Sequence, residues 1–195
     1  MEIYEASKKG RLIAWAGDHF VYAYGKDEVI KFSKFDFFLG YERALKKAVD
    51  DYALCKKYFD EFLLDTRIVV SLDTKFVALI QKKISGTHLA ARDLRKPDVL
   101  RNYRDLVERY HDMTAREHTF LDLIRQKGLW RGVVSNIFVT PDNQLLLFDA
   151  TLFDVHEFPL WLRPFFFLLF VVGYCAQEIT LWRFERHSNR QEHIL

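Results

Sequence analysis

The chain has 195 residues, with 29 basic and 27 acidic side chains and a formal net charge of +2. Half of it is apolar and it holds only 8 glycines and 4 prolines, which excludes disorder, collagen-like repeats and low-complexity scaffolds as descriptions of the whole. The length accommodates one domain or two small lobes around a real core, and the near-balanced charge argues against dedicated nucleic-acid binding. The aromatic content stands out: 18 Phe, 9 Tyr and 4 Trp, enough to fill a core and still leave rings for an apolar partner surface.

In chain order, residues 11–16, 19–24 (HFVYAY) and 28–32 (EVIKF) read as antiparallel strands, separated by turns at Gly17-Asp18 and Gly25-Lys26-Asp27. The period then changes. Leu45, Ala48, Tyr52, Cys55 and Phe59 recur at threes and fours, which predicts a helix within 38–62. Strand character returns over 67–72 and 75–81, joined by a turn at Asp73-Thr74. Residues 1–84 thus form an expected five-stranded lobe with one helix against it, and 85–195 a reduced, mainly helical lobe, giving an α+β fold in two lobes.

In the second lobe, Leu106, Tyr110, Met113 and Phe120-Leu121 predict helix over 98–126, bent near Thr114. A hairpin follows, with strands 137–139 and 145–148 around a Pro141-Asp142-Asn143 turn. Residues 159–184 supply the last helix and 187–195 a polar tail, loose or an added turn. Within that helix PFFFLLFVVGYCA, 164–176, is closely bracketed by Arg163 and Glu178, short for a span of about 20 residues, and is expected as a buried helix, with a membrane-facing element as the alternative. The following Trp182, Arg183, Phe184, Arg186 and Arg190 suit an anionic membrane surface, an acidic partner or a salt-balanced helix end, and peripheral membrane association is one expectation for the chain. Cys55 and Cys175, 120 residues apart, are expected as buried thiols of a reducing, cytoplasmic compartment. The acidic first residues lack the apolar run of a secretory signal.

Three side chains carry the chemistry. Lys31 lies inside a strand and apolar on both sides, where a lysine needs a counter-charge or a phosphate. Asn136 precedes one hairpin strand and Asp149, thirteen residues on, follows the other. A hairpin brings its ends together, so the amide oxygen and the carboxylate can converge on one Mg²⁺, which takes hard oxygens and draws only one or two from the protein. A strand lysine would then neutralise nucleotide phosphate.

From residue 13 to 154 this order resembles the protein-kinase-like superfamily, in a minimal, divergent, bacterial-type form. VIK at 29–31 resembles its third-strand lysine motif, FVALIQKKISG at 76–86 its fifth strand and hinge, and SNIFVTPDNQLLLFDA at 135–150 its catalytic-loop asparagine, hairpin and metal-binding Asp. The resemblance implies ATP and Mg²⁺ as cofactors: Lys31 on the phosphates, Asn136 and Asp149 on the metal, Gln81 and Lys83 at the hinge, Gly17 over the phosphates. Asp51 or Glu42 would be the acidic partner of Lys31 on the long helix.

The departures are specific. Gly17 is the lone glycine where the family has several, Arg131 stands five residues before Asn136 in place of the general-base Asp, and Asp149-Ala150-Thr151 replaces DFG. An arginine cannot accept a substrate proton. Three readings therefore stay open: an ATP/Mg-dependent phosphotransferase without the usual base, a pseudokinase that binds a partner, and a nucleotidyl or acyl transferase on the same fold. Asp154 reads as a cap or a further polar contributor, and the seven histidines show no metal-ligand spacing.

Overall fold

The computed structural model describes residues 2–3, 8–16, 19–33, 40–70, 76–126, 132–153, 160–161 and 163–192. The chain divides into two compact units, Met1–Lys57 with Leu64–Ile84, and Tyr58–Leu63 with Ser85–Leu195.

The first unit is a mixed sheet with one long helix. Its strands are β1 (Glu2–Ile3), β2 (Lys9–Ala16), β3 (His19–Tyr24), β4 (Glu28–Ser33), β5 (Thr66–Val70) and β6 (Val77–Lys82), and its helix is α1 (Tyr41–Phe59). The spatial order is β1-β5-β6-β4-β3-β2. The five expected strands are antiparallel neighbours, and the two-residue β1 joins parallel to β5 as a sixth. Gly25, at φ +60°, turns β3 into β4 in a conformation that glycine adopts without steric cost. The turns expected at Gly17-Asp18 and Asp73-Thr74 lie outside the described residues.

Alternation decides what each face packs against. Tyr24, Ile30, Val69, Ala78 and Ile80 form the core of one face, with Tyr22 and Phe32 against it. The other face carries Ile68, Val70 and Val77, covered by Tyr41, Ala44, Leu45 and Ala48 of α1. Gly40, at φ +77°, precedes that helix, and its carbonyl accepts from the Ala44 N–H at 3.0 Å. Glu42 in its first turn and Lys56 and Lys57 in its last complement the helix dipole.

The second unit is built on α2 (Pro97–Glu117) and α3 (Arg163–Glu192) with short strands β7 (Thr87–His88), β8 (Phe120–Leu121), β9 (Ile124–Gln126), β10 (Gly132–Val134), β11 (Ile137–Val139), β12 (Leu145–Leu147) and β13 (Leu152–Phe153). Pro97 opens α2, where its missing N–H costs nothing, and Val99, Tyr103, Leu106, Tyr110 and Met113 bury one face at helical spacing. The helix continues through Thr114, and the expected break falls a turn later. It stops at His118, which takes a left-handed conformation (φ 55°) and donates its N–H to the Thr114 carbonyl. Residues 120–126, expected as helix, are strands, because Phe120-Leu121 pairs with Leu152-Phe153 and Ile124–Gln126 with Gly132–Val134.

The helix at the C-terminal end reaches Glu192, so of the two readings of the tail, loose or an added turn, the helical one holds through that residue. Two further expectations change. The 164–176 stretch, expected to be buried, exposes Phe165, Phe167, Leu168, Leu169, Val171 and Val172. Cys55 is buried as expected, but Cys175 is exposed, and neither is disulfide-bonded.

Candidate functional site

In the first unit, Lys31 sits at the centre of the sheet, opposite Val21 on β3 and Leu79 on β6, and is only 7% exposed. Strand alternation puts it on the face that α1 covers. A lysine so placed keeps its charge only in a polar or ionic surrounding. Of the two acids considered for it, Asp51 lies on the flank of the sheet-facing stripe, one and two turns beyond Ala48 and Ala44, and pairs with Lys47 at 2.9 Å in a mostly buried bridge. Glu42 is exposed, on the far side of the helix's first turn. Asp50, next to Asp51, pairs with exposed Lys46.

Gln81 is buried on the Lys31 face, where its Nε2 donates to Thr66 Oγ1 at 2.8 Å. That bond ties β6 to β5 and accounts for a polar side chain in the sheet interior. Lys83 is exposed just past β6, with its N–H donating to the Asp27 carbonyl at 2.8 Å. Gly17, Arg131 and Asp154 lie outside the described residues.

In the second unit the expected β11–β12 hairpin forms, with Ile137 opposite Leu147 and Val139 opposite Leu145. Its tip is fixed by the Thr140 N–H donating to the Gln144 carbonyl at 3.0 Å, and by Asn143 at φ 65°, whose side-chain oxygen accepts from Lys96 at 2.7 Å. Ile137, Val139, Leu145 and Leu147 bury one face, which sets the register because a one-residue slip would expose all four. Asn136 immediately precedes the last rung and Asp149 follows it by two residues, so both stand at the open end.

Two sets of bonds organise that end. The Asn136 side-chain amide donates to the Asp122 carbonyl at 2.7 Å, and the Ser135 N–H donates to the Leu123 carbonyl at 3.1 Å. The Asp149 Oδ1 accepts from both the N–H and the hydroxyl of Thr151, at 3.2 and 2.8 Å, an Asx-type turn that leads into β13. β13 pairs with β8, Leu152 opposite Leu121, so Thr151 and Asp122 each stand next to that last pair. The junction of β8, the open hairpin end and β13 thus carries Asp122, Asn136 and Asp149 along its strands, with Asn136 bonded to Asp122 and Asp149 to Thr151. With its N–H group committed to Asp122, Asn136 Oδ1 is turned away as an acceptor, met by the Ser135 hydroxyl only at 3.4 Å.

The segment beneath them is anchored from α3. Gln177, 1% exposed, accepts from the Leu123 N–H and donates to the Leu121 carbonyl, both at 2.8 Å. It therefore closes the two main-chain groups that flank Asp122.

Sequence reading missed Asp122 and Gln177. Asp122 sits fourteen residues before Asn136 instead of five, in a segment whose apolar spacing predicted helix. The exposed carboxylate accepts from the Ile124 N–H at 3.2 Å. The available signal was the buried-looking Phe120-Leu121 pair just after the helix stop.

Among the described residues no group of three His, Cys, Asp or Glu side chains is placed to hold a metal. The donors at the junction are an amide oxygen and carboxylate oxygens, which suit Mg²⁺, an ion that completes its shell with phosphate and water.

No protein-family model matches the chain, and no curated protein matches it. Among solved structures it is similar to choline kinase LicA from Streptococcus pneumoniae, at 10% identity and a TM-score of 0.40, over 97% of this chain and 87% of that one. A similarity of that degree assigns neither activity nor residue roles.

Proposed function

We propose that the protein is a kinase-like phosphotransferase that uses ATP and Mg²⁺, with residues 1–84 as the nucleotide-phosphate lobe and 85–195 as the metal-binding lobe. The observation that supports this reading is the bond from the Asn136 side chain to the Asp122 carbonyl at the hairpin end that Asp149 also follows, which leaves hard oxygen donors along that end. Asn136 and Asp149 would hold Mg²⁺, which when bound supplies positive charge against the phosphates. Lys31 would neutralise phosphate charge, with Asp51 rather than Glu42 as its acidic counterpart, and Gly17, Gln81 and Lys83 as the remaining nucleotide contacts.

Asp122 answers the difficulty raised by Arg131. It is a carboxylate at the same junction and would accept the proton of an attacking hydroxyl, a role that needs a group able to lose its charge. The substrate would then be a hydroxyl compound, and a nucleotide-dependent reaction goes with a cytoplasmic location.

Calorimetry with ATP and Mg²⁺ tests the reading. Binding in the wild type that is lost in Asp149→Ala and Asn136→Ala, and weakened in the nearly isosteric Lys31→Met, is the expected result. A folded wild type that binds no nucleotide overturns it. One observation favours the pseudokinase reading: Thr151 occupies Asp149 Oδ1 twice over. Nucleotide binding that is indifferent to Mg²⁺ and to Asp149→Ala would select it over the transferase readings.

A further inference from the structure

The exposed side of α3 is unlike any other surface of the described residues. From 164 to 177 the helix carries no charged side chain. Its inward side is accounted for: Phe170 packs on Phe120 and Phe153, with ring centroids 5.0 and 5.9 Å apart, and Gly173 brings the helix close to Phe120. Further along, Ala176, Gln177, Thr180 and Leu181 are buried on the same side. The outward side is a continuous stripe at helical spacing: Phe165, Leu168, Val172, Cys175, then Trp182. Arg186 stacks on Trp182 at 4.9 Å, and Arg183 is exposed beside it. A second tryptophan, Trp161, 78% exposed, stands just before the other end.

Charge divides across this helix. Glu178 and Glu185 turn toward α2, where Glu178 meets His111 at 3.0 Å and Glu185 meets Arg104 at 2.9 Å. The outward stripe is left apolar along its length and basic at one end. A protein interface would carry a polar rim and a hydrogen bond for every 100–200 Å² or so. An apolar stripe with a tryptophan at each end and arginines at headgroup level instead matches an interfacial lipid-binding helix.

We propose that this face of α3 binds the surface of an anionic lipid bilayer, with the helix lying along the membrane and Arg183 and Arg186 at the phosphates. Residues Arg163–Arg186 are long and apolar enough to cross a membrane by composition alone. The structure favours lying flat for two reasons. The uncharged run rises only about 21 Å as a helix, short of a hydrocarbon core of about 30 Å. Crossing would also break the Glu178–His111 and Glu185–Arg104 pairs and expose buried Gln177, which fixes β8.

The test is flotation of the full chain with vesicles of phosphatidylcholine alone and of equal parts phosphatidylcholine and phosphatidylglycerol. The wild type is expected to float with the anionic vesicles, about tenfold or more above the neutral ones. Leu168→Glu with Val172→Glu is expected to lower that binding at least about tenfold while leaving the unfolding midpoint near that of the wild type, since both side chains are already in water. Arg186→Glu is expected to remove most of the preference for anionic lipid. Three results overturn the proposal: a wild type that floats with neither vesicle, a folded double variant that floats as well as the wild type, or lipid-independent self-association abolished by the same substitutions, which would make the face a contact between copies. Resistance to alkaline extraction from the vesicles would overturn the flat orientation in favour of a span.

Discussion

The side-chain amide of Asn136 donates to the main-chain carbonyl of Asp122 at 2.7 Å, across fourteen residues of sequence. Because the bond uses Asp122's backbone, it survives any change of that side chain. Asp122→Asn is therefore expected to keep the wild-type unfolding midpoint. If Asp122 takes the substrate proton, the same variant loses about 10²–10⁴-fold in turnover with nucleotide binding retained. Calorimetry and a turnover assay on one preparation separate the two effects.

Asn136→Asp replaces a donor with a carboxylate facing a carbonyl. The bond to Asp122 is lost and two acceptors confront each other, at a cost of about 1–3 kcal/mol. Urea unfolding of this variant beside Asn136→Ala checks it, the aspartate being expected as the less stable of the two.

Gln177 satisfies the Leu123 N–H and the Leu121 carbonyl in a dry interior. Gln177→Leu keeps much of the volume but orphans both main-chain groups, with an expected loss of about 2–4 kcal/mol. Gln177→Glu keeps an acceptor for Leu123 and, once protonated, an O–H donor for Leu121, so its loss should fall below that of the leucine variant at acidic pH. Chemical denaturation at two pH values reads both.

A Cβ on Gly86 would lie 2.6 Å from the Val139 carbonyl oxygen and 3.3 Å from its carbon. These are backbone atoms of the hairpin strand and cannot move aside as a flexible side chain would. Gly86→Ala is expected to cost about 1–3 kcal/mol by forcing β11 away, visible as a lowered thermal midpoint.

Arg109 reaches the Tyr58 carbonyl at 3.2 Å, Glu61 at 2.9 Å and Asp105 at 3.0 Å, tying residues 58–63 to α2. The Glu61 carboxyl is held below its ordinary range, first by its own backbone N–H and then by the Arg109 guanidinium. A carboxyl lowered by folding stabilises the native state above its unfolded value of about 4.3, and that contribution is lost as pH falls through the lower folded value. Glu61→Gln should therefore melt below the wild type at pH 7, by a small margin since the pair is exposed, and the gap should close in acid and in high salt.

Local patterning settled much of the architecture from sequence. HFVYAY and EVIKF alternate at period two, Leu45 to Phe59 recurs at the helical period, and the Pro141-Asp142-Asn143 turn sits between two apolar runs. These signals need only neighbouring residues, so β3, β4, α1 and the β11–β12 hairpin fall within a few residues of expectation. The hairpin's closure alone puts Asn136 and Asp149 at one end. Where sequence reading failed, the deciding partner was remote. The strand nature of Phe120-Leu121 exists only because Leu152-Phe153 lies beside it, and the role of Asp122 depends on a bond from Asn136. Gln177, one polar residue in a long apolar helix, carries no local sign of the two backbone groups it closes. The exposure of 165–172 likewise could not be read from composition, since an apolar run is equally suited to a core or to a lipid surface until packing assigns its outward side. Period fixed the elements; contacts across tens of residues decided which side chains meet and which faces are left uncovered.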